Sequence, residues 1–139
     1  DLSLGFDIEG VSGMAYRIYK AAFDRAPDLA GLGYWIDTLD SGATPLDMAT
    51  GFLGSAEFQA LYGENPTNEE YTRALYLNVL DREPDQAGYD YWNAVLEGDP
   101  VLGQTTREQM LVDFSESAEN KENVLQMIEN GVQYEFWLG

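Results

Sequence analysis

The chain repeats itself, and the repeat constrains what it can fold into more than any other feature. The string Asp24-Arg25-Ala26-Pro27-Asp28-Leu29-Ala30-Gly31-Leu32-Gly33-Tyr34-Trp35 returns as Asp81-Arg82-Glu83-Pro84-Asp85-Gln86-Ala87-Gly88-Tyr89-Asp90-Tyr91-Trp92. The same offset of 57 residues (24 to 81) carries Tyr19 onto Tyr76 and Leu39 onto Leu96. Further on the offset widens to 62 (48 to 110), which maps Met48 onto Met110, Phe52 onto Phe114, Ser55 onto Ser117 and Glu57 onto Glu119. The second copy therefore carries five extra residues (62 − 57), and they fall in the turn-rich stretch Gly98–Gly103. A surface loop tolerates such an insertion. A unit that recurs within one chain reads as a supersecondary block whose apolar face is buried against its twin. One domain over residues 1–139 is expected, with repeats at about 14–63 and 67–131.

Each copy has the spacing of helices. Met14, Ala15, Ile18, Tyr19 and Ala22 follow a helical period up to Phe23. Pro27 suits a first helical turn, and Asp28 suits the positive end of the helix dipole. Leu32, Trp35, Ile36 and Leu39 continue the stripe, which Gly42 stops. Thr44 with Asp47 makes a capping-box variant before Met48, Ala49, Phe52 and Leu53. Ser55 caps Ala56–Tyr62, closed by Gly63. In the second copy, Thr67 and Glu70 box a helix carrying Tyr71, Ala74, Leu75 and Val79. Pro84 starts the next, with Tyr91, Trp92, Val95 and Leu96. Thr105 and Glu108 box a third, with Met110, Leu111 and Phe114. Ser117 starts the last, with Val124, Leu125 and Ile128, and Asn130-Gly131 ends it. No useful alternating run is present. The expected fold is all-α: a duplicated multi-helix repeat of about eight helices packed as one body.

Composition removes several function classes. Acids number 25 against 7 bases, a net charge of −18, and the chain has neither Cys nor His. Disulfides and Cys or His catalysis are excluded, and a structural zinc site lacks its usual ligands. Nucleic acid and anionic membrane surfaces need clustered cations that this chain does not have. No run of 18 apolar residues provides a membrane span, so insertion is not expected. The chain starts at Asp1 rather than Met, which reads as a domain excised or trimmed from a longer protein.

The repeated residues are the candidates for function. Arg25 and Arg82 sit at loop-to-helix corners, where a guanidinium holds several carbonyls or a carboxylate together. Gly31 and Gly88 lie inside helices at a cost of about 1 kcal/mol each, which close helix approach would justify. Trp35 and Trp92 lie on apolar stripes and read as shared core. Tyr16, Tyr19, Tyr34, Tyr71, Tyr76 and Tyr91 fit helical stripes as half-buried packing, with a sugar-stacking platform as the other reading. Asp81, Glu83 and Asp85 have the start of an EF-hand spacing, but Gln86 and Trp92 stand where Gly and Glu are required. An irregular calcium site would draw on Asp24, Asp28, Asp81, Glu83 and Asp85. No phosphate loop, nucleophile elbow or distinguished carboxylate pair is present, so no enzyme activity is expected.

The two Asp-Arg-x-Pro-Asp-x-x-Gly-x-x-Tyr-Trp strings resemble the signature of the DUF4214 family. So do the tails Phe52-Leu53-Gly54-Ser55-Ala56-Glu57-Phe58 and Phe114-Ser115-Glu116-Ser117-Ala118-Glu119. The resemblance runs from about Met14 to Val124. It implies Arg25, Pro27, Asp28, Gly31 and Trp35, with Arg82, Pro84, Asp85, Gly88 and Trp92, as the structural motif. It also implies a non-catalytic module of a larger bacterial secreted or cell-surface protein, serving spacing or contact with a protein or glycan. A calcium-dependent module is the alternative, and a more distant likeness is to phycobilisome linker domains. The family's usual Gly before the Arg is Asp24 and Asp81 here, and Asn120 stands where the first copy has Phe58.

Overall fold

The computed structural model of the chain describes residues 2–5, 10–129 and 131–135. Eight helices and two short strands run through them. The first repeat holds α1 (Val11–Phe23), α2 (Leu29–Asp40), α3 (Pro45–Leu53) and α4 (Ala56–Tyr62). The second holds α5 (Asn68–Leu80), α6 (Gln86–Glu97), α7 (Arg107–Ser115) and α8 (Ala118–Ile128). β1 (Leu2–Gly5) pairs antiparallel with β2 (Val132–Glu135), with Leu2 opposite Glu135 and Gly5 opposite Val132. This ribbon was not legible as alternation, because each strand is only four residues long. The all-α architecture stands, with the ribbon as a clasp that lays β2 against α2.

Side-chain caps fix where the helices begin. Asp28, Thr44, Ser55, Thr67, Asp85, Thr106 and Ser117 each accept a backbone N–H in the first turn of their helix. Each such cap contributes about 1 kcal/mol. Thr44 with Asp47 and Thr67 with Glu70 form complete capping boxes. Three expected starts are corrected. Pro27 and Pro84 lie one residue before the caps Asp28 and Asp85, outside the first turn. Their fixed φ instead shapes the approach to the helix. The cap of α7 is Thr106, which accepts from Gln109, and not Thr105 with Glu108. Gly63 closes α4 at φ +96°, a conformation that disfavours any residue with a Cβ. Of the expected stop at Asn130-Gly131, Asn130 lies outside the described residues.

One continuous core draws on both repeats. Ala15, Ile18 and Ala22 of α1 pack with Met48 and Ala49 of α3, Tyr71 and Leu75 of α5, and Met110 and Leu111 of α7, all 0% exposed. The seam between the copies is built by α1 against α5 and α7, and by α3 against α7. Trp35 and Trp92 do not sit at this seam. Trp35 packs on Phe52 and Trp92 on Phe114, each within its own copy and half-buried. The expectation of a Trp-bearing face buried against the neighbouring copy is therefore corrected. Small and slender residues on α1 let the helices approach, Tyr71 fills the space between the copies, and the indoles of Trp35 and Trp92 are left at the periphery.

Arg17 crosses the seam. It is 2% exposed, and its Nε and Nη2 donate to the two oxygens of Glu116 at 2.9 and 2.6 Å. Ser115 Oγ also donates to Glu116 at 2.9 Å, and Asn120 Nδ2 donates to the Ser115 carbonyl at 2.7 Å. At the equivalent positions the other copy has Ala74, Leu53, Gly54 and Phe58. Sequence reasoning passed over this network, although the mismatch between copies was its visible signal.

Candidate functional site

Each copy builds the same groove. In the first, the αL cap residue Asp24 (φ 50°) ends α1 and turns the chain outward. Arg25 then folds back over Tyr19, its guanidinium 5.4 Å from the ring centroid. Its Nε and Nη2 donate to Glu57 of α4 at 2.7 and 2.8 Å, and Nη1 donates to the Ala26 carbonyl at 3.1 Å. In the second copy, Asp81 (φ 55°) makes the same turn and Arg82 stands 5.0 Å from the Tyr76 ring. Arg82 donates to Glu119 of α8 at 2.9 and 3.1 Å and to the Glu83 carbonyl at 3.2 Å. The pairing joins the part of the repeat offset by 57 residues to the part offset by 62 (25 to 82, 57 to 119). Both pairs are about two-fifths exposed, so they are surface clamps and not buried ones.

Below each clamp lies an aromatic hollow. The first, of about 310 Å³, is lined by Tyr19, Phe23, Tyr34, Trp35, Phe52 and Glu57, with Ala30, Gly31 and Ser55. The second, of about 160 Å³, is lined by Tyr76, Leu80, Arg82, Trp92, Phe114 and Glu119, with Asp113 and Ser117. Tyr34 and Tyr91 stand edge-on to Trp35 and Trp92 at 5.2 Å and are 39% and 43% exposed. Leu80 in place of Phe23 narrows the aromatic wall of the second hollow.

The motif glycines leave room for side chains and not for a helix backbone. Asp28 Oδ1 accepts from Gly31 N at 2.6 Å, while Tyr19 donates its hydroxyl to Asp28 Oδ2. A Cβ on Gly31 would lie 2.8 Å from Asp28 Oδ1 and 2.9 Å from the Tyr19 hydroxyl. On Gly88 it would collide with the Tyr76 hydroxyl and stand 3.1 Å from Asp85 Oδ1. The expected helix–helix approach is thus corrected to a cap-and-hydroxyl packing.

The charges respond to these contacts. The Tyr19 hydroxyl and the Gly31 amide hold Asp28 below the usual carboxylate range. Arg25 does the same for Glu57, and Arg82 for Glu119. The Gly88 amide lowers Asp85. Burial, with the Asp28 carboxylate next in weight, raises Tyr19.

The five acids considered for calcium are dispersed. Asp28 and Asp85 cap helices, and Glu83 pairs with Arg73 at 3.0 Å. Asp24 and Asp81 both line a cleft between α1, α5 and α8. Among the described residues no three acidic side chains gather as a metal set. The inserted loop holds itself: Asp99 Oδ1 accepts from Val101 N and Leu102 N, both at 2.8 Å. No helix among the described residues is long and apolar enough to cross a membrane.

Duplicated helical units around one core, each with an arginine-clamped aromatic groove, define a repeat-built all-α domain. The chain belongs to the DUF4214 family, a domain of unknown function, whose model matches residues 12–61 and 49–124. The two matches overlap at residues 49–61, the second half of α3 and all but the last residue of α4. No curated protein and no solved structure matches the chain.

Proposed function

We propose that this domain is a non-catalytic contact module of a larger bacterial secreted or cell-surface protein. Its ligand is an uncharged glycan chain, taken by the twin grooves. The observation that carries this reading is the recurrence of one groove in both copies: Tyr, Trp and Phe rings beneath a guanidinium–carboxylate pair. A sugar ring has an apolar C–H face suited to aromatic walls. Its hydroxyls suit the donors of Arg25 or Arg82 and the acceptors of Glu57 or Glu119. A net charge of −18 disfavours acidic polysaccharides. The extracellular setting extends the family resemblance of the repeated string.

The test is a titration with neutral oligosaccharides, read by tryptophan fluorescence and calorimetry. Saturable binding that Trp35→Ala weakens more than Trp92→Ala supports the reading, because the first groove is the larger. Binding of a protein partner alone, or release of reducing sugar on prolonged incubation, would replace it. Calcium-dependent contact is the rival, resting on Asp24 and Asp81. It requires binding that is lost on chelation and restored by calcium but not by magnesium.

A further inference from the structure

Between the repeats, the ends of α1 and α5 and the flank of α8 enclose a cleft of about 450 Å³, separate from both grooves. That is a volume suited to a small organic ligand. Asp24 and Asp81 face it from equivalent positions of the two copies, with Asn78, Asn120 and Asn123 beside them. Neither carboxylate has an ion-pair partner among the described residues, although Lys20 lines the same cleft.

Two exposed carboxylates alone would simply be hydrated. Asn120 is the independent observation. It is 3% exposed, yet it occupies the position at which the first copy buries Phe58 stacked on Tyr62 at 4.0 Å. A buried amide in place of a ring costs stability unless its polar atoms are satisfied. Its Nδ2 is satisfied by the Ser115 carbonyl at 2.7 Å. Its Oδ1 has no donor among the described residues. No fully enclosed side-chain polar atom there lacks a partner, so this oxygen opens onto the cleft. The site thus offers an unpaired carbonyl acceptor, held by a side chain that is otherwise buried, and two carboxylates. The hydrocarbon of Val79, Leu80, Val124 and Met127 lies alongside.

We propose that this cleft binds an alkylammonium group: a primary amine cation on a short aliphatic stem. An ammonium has three donors and no acceptor, which matches the Asp24, Asp81 and Asn120 oxygens. The stem matches the apolar wall. Anions are repelled by the two carboxylates. A bare divalent cation is less well suited, because no third acid joins them.

The amine comes either free, as a diamine, or as the lysine side chain of a partner protein. Nuclear magnetic resonance titrations of the whole domain with 1,5-diaminopentane and with Nα-acetyl-lysine methylamide test the proposal and separate the sources. Saturable shifts are expected at residues 20–24, 78–81 and 120–127 in either or both titrations. A response to the diamine alone assigns a free ligand, and a response to the lysine derivative assigns a partner's side chain. Asp24→Asn with Asp81→Asn keeps a residue that tolerates the left-handed turn. It should weaken binding about tenfold, the order expected from two lost charges at contact. Asp37→Asn with Asp40→Asn removes the same charge elsewhere on the surface and should change affinity by less than about twofold. Equal weakening by both pairs would reduce the effect to diffuse screening and overturn the proposal. Undiminished binding of the ε-acetylated lysine derivative would do the same. So would a saturable calcium shift at these residues that magnesium does not reproduce.

Discussion

Replacing Gly31 by alanine should destabilise the domain, although helix propensity alone favours the change by about 1 kcal/mol. The new Cβ would stand 2.8 Å from Asp28 Oδ1, 2.9 Å from the Tyr19 hydroxyl and 3.1 Å from Asp28 Oδ2. Those atoms are tied to one another, so relief of the clash breaks the contact between Tyr19 and the carboxylate, the cap on α2, or both. A lost cap costs about 1 kcal/mol. A lost hydrogen bond to a charged group costs about 1.5–3 kcal/mol, with the lower end apt for this partly exposed pair. The net loss is about 1–2 kcal/mol, which lowers the melting temperature by roughly 3–10 °C in a domain of this size. Gly54→Ala is the control: its φ is −81° and its nearest contacts are ordinary, at 3.7 and 3.8 Å. It should be neutral or slightly stabilising. Urea unfolding followed by circular dichroism measures both. Tyr19→Phe removes one of the crowded atoms, so the double variant should lose less than the sum of the singles. A Gly31→Ala protein as stable as the parent would refute the cap-and-hydroxyl account.

Other substitutions probe the remaining contacts. Arg17→Ala leaves Glu116 without its charge partner and should cost about 3–5 kcal/mol, whereas Arg17→Met with Glu116→Gln should recover most of it in the same unfolding assay. Arg25→Ala and Arg82→Ala remove pairs that are about two-fifths exposed. Each should cost no more than about 1 kcal/mol at moderate salt, with the loss shrinking as salt is added. Asp28, Glu57, Asp85 and Glu119 are all held below their ordinary values. Their contribution is present above the unfolded carboxylate range, near about pH 4, and is lost as pH falls through the folded values. Equilibrium unfolding at a series of pH values should therefore show stability falling below about pH 4, and Glu57→Gln should flatten that fall.

Much of the helical layout was legible because the signals are local. Thr44 with Asp47, Thr67 with Glu70, and Ser55 and Ser117 announce their helices through groups only three residues apart. The prolines misled by one residue, because Asp28 and Asp85 cap more strongly than Pro27 and Pro84 initiate. The spacing places Leu125 with Val124 and Ile128 on an apolar stripe, yet it is 42% exposed. A helical period cannot say which side of a narrow stripe meets a neighbour.

The site divides along the same line. The Asp-Arg-x-Pro-Asp strings marked both arginines, but nothing local pointed to Glu57 and Glu119, which lie 32 and 37 residues away. Their recurrence under the second offset was visible without its meaning. The Arg17–Glu116 pair spans 99 residues and breaks the repeat, so no comparison of the copies could supply its partner.

The sequence by itself determined that this chain is helical, duplicated and acidic, because period, caps and composition are written within a few residues of where they act. The tertiary structure alone decided three things: Trp35 and Trp92 wall outward grooves, Asp24 and Asp81 line one cleft, and a β ribbon pairs Leu2–Gly5 with Val132–Glu135. Each depends on how the helices pack, and packing is set by volumes and polar partners contributed from distant parts of the chain.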